Sequence, residues 1–522
     1  MEKYVEERIN QLKECKDRAM LGGGEDKLAK QRAKGKLNAR ERLDILLDPD
    51  SFVEFNMLVG HLDQSPGDGV VAGYGTINGR VVCVYSQDPT VKGGSIGPIH
   101  GFKMYRTVER ALEMKVPFIG LHDSPGARMP RLDDGGGAVG IGLIGSKNGG
   151  SIFFPNTQAS GVIPQISAIM GSCAGISVYS PALTDFIFMI DGISQMFITG
   201  PAMVRSVMGE NVTPEELGGA AVHCKVSGVA DMRVESEQVC LQRIRELIDL
   251  LPSNHNEAAP RVDYGDDPDR IDEGMAEIVP ANSNKSYDMH QVIHSLVDSG
   301  YFFEIKPEFA SEIIVGFGRL DGNTVGIVAN QPMVRAGSLT VDSSVKQARF
   351  IRFCDSFKIP IVLLVDTPAY MPGTQQEYTG IIRHGAKVLY ALCEATVPRI
   401  AVVLRKAYGG GTLGMGIIPG LGTDIVYFWP TVEMGVLGAK QSVELFYRSE
   451  IMKAENPEEV RAQKLKEYTD KYANPIFEAN SSYYIDDIIE PRETRRTLIR
   501  GFKLLASKDV HRRSKRHGNI PL

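Results

Sequence analysis

The sequence lacks the signatures of several common protein classes. Its seven cysteines include no Cys-x-x-Cys pair, which argues against a zinc ribbon. The first residues are charged and contain no apolar signal-peptide core, so we expect a reducing, cytoplasmic location. The strongly apolar runs are six or seven residues long, the length of a strand rather than of a membrane span. A net charge of -6 excludes the basic footprint typical of nucleic-acid binding.

Familiar catalytic motifs are also scarce. There is no H-E-x-x-H zinc motif, and we expect no metal site. The run His122-Asp123-Ser124 contains the residue types of a catalytic triad, but neighbours on a strand point to opposite faces and cannot form a relay. Asp123 and its counterpart Asp366 are instead expected to brace the turns that follow their strands.

The most informative feature that is present is an internal repeat. The stretch GVVAGYGTINGRVVCVYSQD (69–88) resembles EIIVGFGRLDGNTVGIVANQ (312–331), and KVPFIGLHDSPG (115–126) resembles KIPIVLLVDTPA (358–369). Both pairs are offset by 243 residues, as Gly73 to Gly316 and Asp123 to Asp366 illustrate. A common offset in two separate blocks indicates a duplication. The Pro-, Asn- and Asp-rich stretch near residue 260 reads as the linker, so we predict domains at 1–259 and 266–522.

Each half has the same predicted order of elements. A β-hairpin turns at Asn78-Gly79 or Asp321-Gly322, and a helix follows near 101–114 or 344–357. An apolar strand ending in Asp-Ser/Thr-Pro comes next, then a helix, and then a second strand that enters a glycine-rich turn. Strands that alternate with helices predict an α/β fold with a parallel sheet in each half.

The two glycine-rich turns are the candidate sites. The first is Gly171-Ser172-Cys173-Ala174-Gly175-Ile176 and the second is Lys406-Ala407-Tyr408-Gly409-Gly410-Gly411. Backbone N–H groups that open a helix have no internal partner and favour negative charge, so such a turn can hold an oxyanion. Alternatively, the glycines only allow tight packing of strand against helix. Neither turn has the Walker or the G-x-G-x-x-G pattern, which disfavours a nucleotide-phosphate site.

At this point the chain resembles a known family, the acyl-CoA carboxyltransferases of the propionyl-CoA carboxylase β-subunit type. The resemblance runs over nearly the whole sequence. It is carried by KGKLNARERLDILLDPDSFVE (34–54), ASGVIPQISAIMGSCAGISVYSPALTDFIFMI (159–190), ITGP (198–201), IVANQP (327–332), SSVKQARFIRFCDSF (343–357), PGTQQEYTGIIRHGAKVLYALCEATVPRI (372–400), RKAYGGG (405–411) and HGNIPL (517–522).

The resemblance implies two tandem crotonase-like domains, each a ββα superhelix, and a homo-hexamer made of two stacked trimers. It implies an acyl-CoA site on the N-terminal domain, where the amides of Gly175 and Ile176 would hold the thioester oxygen as an enolate. The amides of Gly410 and Gly411 in the C-terminal domain would hold the ureido oxygen of biotin. In the family the active site lies between the N-terminal domain of one subunit and the C-terminal domain of another.

Around these amides the resemblance adds Ser172, Cys173, Ala174, Tyr408 and Leu413 as substrate-binding residues. The sequence departs from the family at one of the donor amides and at one of these substrate-binding residues. Ile176 stands where the family usually has glycine, and Leu413 stands where propionyl-type enzymes carry an aspartate beside the acyl chain. We therefore expect an acyl group other than plain propionyl, for example a longer, branched or ring-bearing one.

The resemblance also implies cofactors and partners. Carboxyl transfer to or from the α-carbon of an acyl-CoA would use biotin borne by a separate carrier protein, because the chain has no Met-Lys-Met biotinylation sequence. A biotin carboxylase subunit is expected if the enzyme carboxylates. The alternatives are a decarboxylase of glutaconyl-CoA or methylmalonyl-CoA type beside a membrane subunit, a biotin-independent hydratase or isomerase, and an inactive scaffold paralogue.

Overall fold

The computed structural model describes residues 3–60, 65–128, 152–472 and 474–521. The chain divides into two compact units, Met1–Ala258 and Ala259–Leu522. Within the described ranges, no helix combines the length and the apolar character that a bilayer span requires. The predicted α/β character is confirmed, since each unit is a large sheet with helices.

The described part of the first unit contains the strands β1 (Val53–Phe55), β2 (Val70–Ile77), β3 (Arg80–Gln87), β4 (Phe118–His122), β5 (Gln165–Ile169), β6 (Ser172–Ala174), β7 (Phe186–Ile190), β8 (Gln195–Phe197) and β9 (Met232–Val234). Seven of these form one sheet in the order β1-β2-β3-β4-β5-β7-β9. The pairings from β1 to β3 are antiparallel and those from β3 to β9 are parallel, so the predicted hairpin joins the predicted parallel sheet. Strands β6 and β8 form a separate parallel pair.

The helices of the first unit include one formed by the charged residues at the start of the chain. The α-helices are Lys3–Met20, Glu25–Arg32, Ala39–Leu46, Pro98–Met114, Phe153–Ala159, Tyr179–Ala182, Pro201–Met208, Pro214–Gly218 and Glu237–Leu250.

The second unit repeats this plan. The strands are β10 (Phe302–Ile305), β11 (Ile313–Leu320), β12 (Asn323–Asn330), β13 (Ile361–Thr367), β14 (Arg399–Tyr408), β15 (Ile425–Phe428), β16 (Glu433–Gly435) and β17 (Asp487–Ile488). The sheet has the order β10-β11-β12-β13-β14-β15-β17, and β16 pairs with the end of β14. The α-helices are Met275–Ile278, Met289–Leu296, Val341–Ser356, Thr374–Tyr378, Ile381–Glu394, Gly410–Gly414, Ala439–Phe446, Arg448–Lys453, Pro457–Tyr472, Pro475–Ser481 and Thr494–Leu504.

The hairpins follow the duplication residue by residue. Asn78 and Gly79 have φ of 51° and 76°, and Asp321 and Gly322 have φ of 51° and 74°. Two consecutive positive φ values are the requirement of the tight turn that suits a twisted hairpin, so Asn-Gly and Asp-Gly predicted these turns correctly. The helices after them start three residues earlier than predicted. Pro98 occupies a first-turn position in one, and Thr340 caps the other by accepting a hydrogen bond from the Ser343 N–H.

A pair of buried lysines, which the sequence reasoning missed, anchors these helices at equivalent places. Lys103 and Lys346 lie 243 residues apart. Lys346 is 2% exposed, and its Nζ donates to the carbonyl oxygens of Lys306, Phe309 and Ile313 at 2.8, 2.9 and 2.7 Å. Lys103 Nζ donates to the Gly67 and Val70 carbonyls at 3.3 and 2.5 Å. Each ammonium donates hydrogen bonds to carbonyl oxygens of the loop that leads into the hairpin. These hydrogen bonds join the helix to the loop.

Replacing Lys346 by methionine tests this anchor. The variant Lys346→Met keeps the length of the side chain but removes the donor that three carbonyl oxygens share, and we expect a loss of about 3 kcal/mol in the free energy of unfolding of the second unit. The matched control is Lys466→Met at an exposed position. Denaturant unfolding followed by circular dichroism measures both variants, and equal midpoints would show that the anchor is not needed.

Candidate active site

The first glycine-rich turn follows the fully buried strand β5 and contains strand β6. A 3₁₀ turn, Gly175–Val178, then leads into the short helix Tyr179–Ala182. Gly175 has φ of 59°, a left-handed conformation that side chains strongly disfavour. The glycine therefore lets the chain leave the strand and start a helical turn within one residue.

The predicted donors, Gly175 and Ile176, are the first two residues of that helical turn. Their N–H groups have no carbonyl one turn earlier to bind, as at any helix start. Ala174 occupies the N-cap position and supplies no side-chain acceptor. The Ile176 side chain is half-buried and packs against the core of the first unit. Two adjacent amides are thus left for an external acceptor, and the larger side chain points into the protein's own core.

The neighbouring predicted residues differ in exposure. Ser172 is exposed and Ala174 is half-buried. Cys173 is 0% exposed within a hydrophobic cluster, and burial raises the pKa of its thiol to about 12. A substrate could therefore contact Cys173 only through its main chain. At Ser172 it could contact both the main chain and the side chain.

The segment after β4 braces this turn. Ser177 Oγ lies 2.9 Å from the Ser124 carbonyl oxygen and 2.8 Å from that of Ala174. Gly126 passes so close that a Cβ there would lie 2.6 Å from the Ala174 carbonyl oxygen. The Asp-Ser-Pro-Gly sequence therefore supports the turn through its backbone, and side chains are excluded where the two segments meet.

The second turn reproduces the first in the second unit. Gly409 has φ of 49° and is the N-cap of the helix Gly410–Gly414, again without a side-chain cap. Gly410 and Gly411 are the first two helical residues, so their amides also lack internal partners. A Cβ on Gly411 would lie 2.9 Å from Thr367 Cγ2, so a side chain there would displace a neighbour. Both predicted donor pairs therefore open the helical turn that follows the strand in their unit, with the left-handed glycine being the first donor, Gly175, in one turn and the residue before the pair, Gly409, in the other.

Tyr408 and Leu413 flank the second turn. The Tyr408 hydroxyl donates to Glu433 Oε2 at 2.5 Å, and burial and this carboxylate raise the pKa of the phenol. Its hydroxyl is therefore a hydrogen-bond group rather than an acid-base group at neutral pH. Leu413 is 41% exposed, on the first turn of the helix that Gly410 opens. A contacting acyl or biotin ligand would cover this apolar side chain.

A cavity of about 460 Å³ lies beside Tyr408 in the second unit. Its wall includes Lys285, Lys406, Lys440 and Glu433, an excess of positive charge that the sequence reasoning did not find. Burial lowers the pKa of Lys406, whose Nζ donates to the Ser283 carbonyl at 3.3 Å. Because these three lysines come from three separate segments, no local sequence pattern could have united them.

The two aspartates were predicted to brace the turns that directly follow their strands, but the contacts that the structure shows for their side chains are with other segments. Asp366 accepts from Arg405 Nε at 3.0 Å and from the Lys406 N–H at 3.2 Å, where β14 leads into the second turn. Asp123 Oδ2 lies 2.6 Å from Lys36 Nζ and 3.0 Å from an Arg42 nitrogen. His122 is fully buried with its Nε2 3.1 Å from Ser167 Oγ, so it faces the core of the sheet and forms no triad with its neighbours. Among the residues the structure describes, no group of three or more His, Cys, Asp or Glu side chains is placed to hold a metal ion.

Comparisons with known proteins agree with this geometry. Residues 30–520 match the model of the carboxyl transferase domain. The chain is 48% identical to the carboxyltransferase subunit of propionyl-CoA carboxylase from Haloferax mediterranei, over 99% of this chain and 100% of that one. It is 49% identical to the α subunit of methylmalonyl-CoA decarboxylase from Veillonella parvula, over 99% of each chain.

A solved structure supports the same assignment. The transcarboxylase 12S crystal structure, described as a hexamer with methylmalonyl-coenzyme A and methylmalonic acid bound, superposes with a TM-score of 0.92 at 44% identity. It covers 99% of this chain and 98% of that one, which confirms the two tandem crotonase-like units. The chain belongs to the carboxyl transferase domain family and is an acyl-CoA carboxyltransferase.

Proposed function

We propose that the first turn binds the thioester oxygen of an acyl-CoA and that the second turn binds the ureido oxygen of biotin. What carries this proposal is the repetition of one feature: two adjacent N–H groups, without partners in their own helix, at the start of an uncapped helical turn in each unit. Such a pair suits one carbonyl oxygen whose charge grows during the reaction. A reaction with two carbonyl oxygens needs two such pairs.

The residues of the second unit fit biotin. Gly410 is exposed, so an external acceptor can reach its N–H, while Gly411 is buried with no room for a side chain. Both groups are donors, and a ureido oxygen is an acceptor. The cavity beside Tyr408 offers about 460 Å³ next to this turn. When bound, biotin supplies a ureido nitrogen that can carry the transferred carboxyl group.

The protein's own contribution is then positioning and electrostatics. The amides of Gly175 and Ile176 hold the thioester oxygen and stabilise the negative charge that forms on it when the α-carbon loses its proton or its carboxylate. They are oriented before the substrate arrives, so no reorganisation is needed during the reaction. The second pair fixes the ureido oxygen in the same manner. The proton from the α-carbon would pass to the ureido nitrogen that bound biotin supplies, so no side-chain base is required, and none of the side chains of the first turn has the chemistry of one.

The acyl group and the direction of transfer form the finer part of the proposal. By the resemblance, Leu413 takes the place that an aspartate has beside the acyl chain of propionyl-type enzymes. We propose that the substrate carries a larger apolar acyl group than propionyl. The reverse direction, decarboxylation of a malonyl-type CoA ester, is the second candidate, because a methylmalonyl-CoA decarboxylase subunit is as similar to the chain as a carboxylase subunit is.

The proposed assembly is a cytoplasmic homo-hexamer that works with a biotin carrier protein and, for carboxylation, a biotin carboxylase. The helices Pro201–Met208 and Ala439–Phe446 occupy equivalent places in the two units and leave large apolar side chains exposed, Val207 at 70% and Phe446 at 67%. Apolar faces of this kind are typical of surfaces covered in an assembly. The structure shows no disulfide among the seven cysteines, all of which lie in the described ranges, as expected in a reducing compartment. A membrane subunit would be the partner if the enzyme runs as a decarboxylase.

The reaction is tested by an acyl-CoA screen with free biotin. Purified protein should decarboxylate at least one malonyl-type CoA ester, and the rate should depend on biotin. Release of labelled CO₂ from a panel of esters with small, branched and ring-bearing acyl groups measures both activity and preference. Hydration of an enoyl-CoA without any biotin-dependent turnover would contradict the proposal and favour a hydratase.

Replacing Gly410 by proline removes one proposed donor. Proline fits the first position of a helix, so Gly410→Pro should fold while lacking the N–H. The control Gly410→Ala keeps the N–H, and its Cβ would lie 3.4 Å from Tyr370, an ordinary contact. We expect Gly410→Pro to lower biotin-dependent kcat about 10²–10³-fold relative to Gly410→Ala, with the acyl-CoA Kd within about twofold. Equal activity of the two variants would show that this amide does not act on the oxygen.

Replacing Leu413 by aspartate tests the selectivity proposal. A charge beside an apolar acyl group must be desolvated, so Leu413→Asp should lower kcat/KM for the preferred ester about 10-fold or more relative to methylmalonyl-CoA. Leu504→Asp, at a side chain 75% exposed, is the control. An unchanged ratio of kcat/KM values across the panel would remove Leu413 from the specificity pocket.

A further inference from the structure

Four charged side chains form a buried cluster next to the first turn. Lys36 and Arg42 are the cations and Asp123 and Glu237 are the anions. Their side chains are 13%, 0%, 7% and 1% exposed, in that order. The formal charges balance, which is the condition under which a protein tolerates such burial. Both cations belong to the segment KGKLNARERL, a motif for which the reaction provides no role so far.

Arg42 is the centre of this cluster. Its guanidinium donates to both oxygens of Glu237 at 3.1 and 2.8 Å and to Asp123 Oδ2 at 3.0 Å. Lys36 Nζ adds a contact of 2.6 Å to the same Asp123 oxygen. The Leu37 N–H donates to Glu237 Oε2 at 3.0 Å, so the backbone between the two cations is tied down as well. Charge-assisted bonds of this number hold the Asp123 carboxylate in one place.

The cluster touches the residues that open the first turn. A Cβ on Gly171 would lie 2.1 Å from Asp123 Oδ1 and 2.6 Å from Lys36 Nζ. Arg42 also lies 3.3 Å from the Met170 carbonyl oxygen. Met170 and Gly171 directly precede β6, which leads to the Gly175 and Ile176 amides. A change in the position of Asp123 is therefore transmitted to the backbone that carries those amides.

In the second unit, the cation that pairs with the buried carboxylate lies on a strand of that unit's own sheet. Asp366, the counterpart of Asp123, is paired with Arg405 on β14. By strand pairing Arg405 corresponds to Gly171, because Lys406 pairs with the first residue of β16 as Ser172 pairs with the first residue of β8. In the first unit the strand is interrupted at this point, and the missing cation comes from the segment 36–42 instead. The duplicated carboxylate thus keeps a cationic partner in both units, from different parts of the chain.

We propose that Lys36 and Arg42 are positioning residues for the first oxyanion turn, acting through Asp123. The inference rests on the proposed function of that turn. Neither side chain needs to touch the substrate. Their role is to hold Asp123 against Gly171, and so to hold the Gly175 and Ile176 amides in the orientation that stabilises the developing oxyanion. A displacement of about 1 Å in such donors lowers the rate about 100-fold.

The test uses Lys36, because it lies at the rim of the cluster and its loss leaves the Arg42–Glu237 pair intact. Lys36→Met in the full chain removes the charge and keeps the length. Lys34→Met makes the same change at an exposed position two residues earlier, and Lys36→Arg restores the charge. The readouts are kcat and KM for biotin-dependent decarboxylation of a malonyl-type CoA ester, and the Kd of free coenzyme A, which has no thioester oxygen.

We expect Lys36→Met to lower kcat about 10–100-fold relative to Lys34→Met, with the coenzyme A Kd and the biotin KM within about twofold. For Lys36→Arg, the decrease in log kcat relative to Lys34→Met should be at most half of the decrease seen for Lys36→Met. Two results would overturn the inference: a kcat within twofold of that of Lys34→Met, or a parallel loss of coenzyme A binding, which indicates a direct ligand contact or unfolding. A wild-type protein without biotin-dependent turnover would instead refute the proposed function itself, and the inference with it.

Discussion

Two adjacent backbone N–H groups without partners in their own helix are the constraint around which each unit is organised. Such groups exist only where a helix begins, and they serve catalysis only if no side chain caps them. Ala174 and Gly409 occupy the N-cap positions and supply no acceptor. Gly175 and Gly409, both at positive φ, let the chain turn from a strand into the helix at once. The donors are therefore held by buried strands, β5 and β14, rather than by a mobile loop.

Holding these donors requires charge in the interior, and each unit neutralises that charge differently. The aspartate that follows β4, or that lies near the end of β13, packs against the strand that leads to the turn, where it is almost completely buried. An unpaired carboxylate there would be costly, so a cation must accompany it. In the second unit the cation is on the adjacent strand, whereas in the first it comes from the segment 36–42. The carboxylate is thus present in both units, whereas the cations that pair with it come from different parts of the chain.

The sequence supported predictions wherever the physics is local or repeated. Asn-Gly and Asp-Gly predicted the hairpin turns because two consecutive positive φ values suit few other residues. The common 243-residue offset predicted a duplication, and the glycine-rich turns pointed to helix starts with free amides. The helix starts at Pro98 and Val341 were missed by three residues, because the apolar pattern begins later than the cap does. The paired lysines Lys103 and Lys346 were visible at the same offset but carry no local signal of burial.

What the sequence determined by itself is the repeated pattern: two α/β units of one plan, each ending a strand in a glycine-rich helix start, and membership of a carboxyltransferase family. What only the tertiary structure decided is which distant side chains meet. The contact of Arg42 with Glu237 joins residues far apart in the chain, and the three lysines around the cavity come from three segments. Such contacts depend on how sheets and helices pack in three dimensions, and no periodicity or spacing along the chain records them.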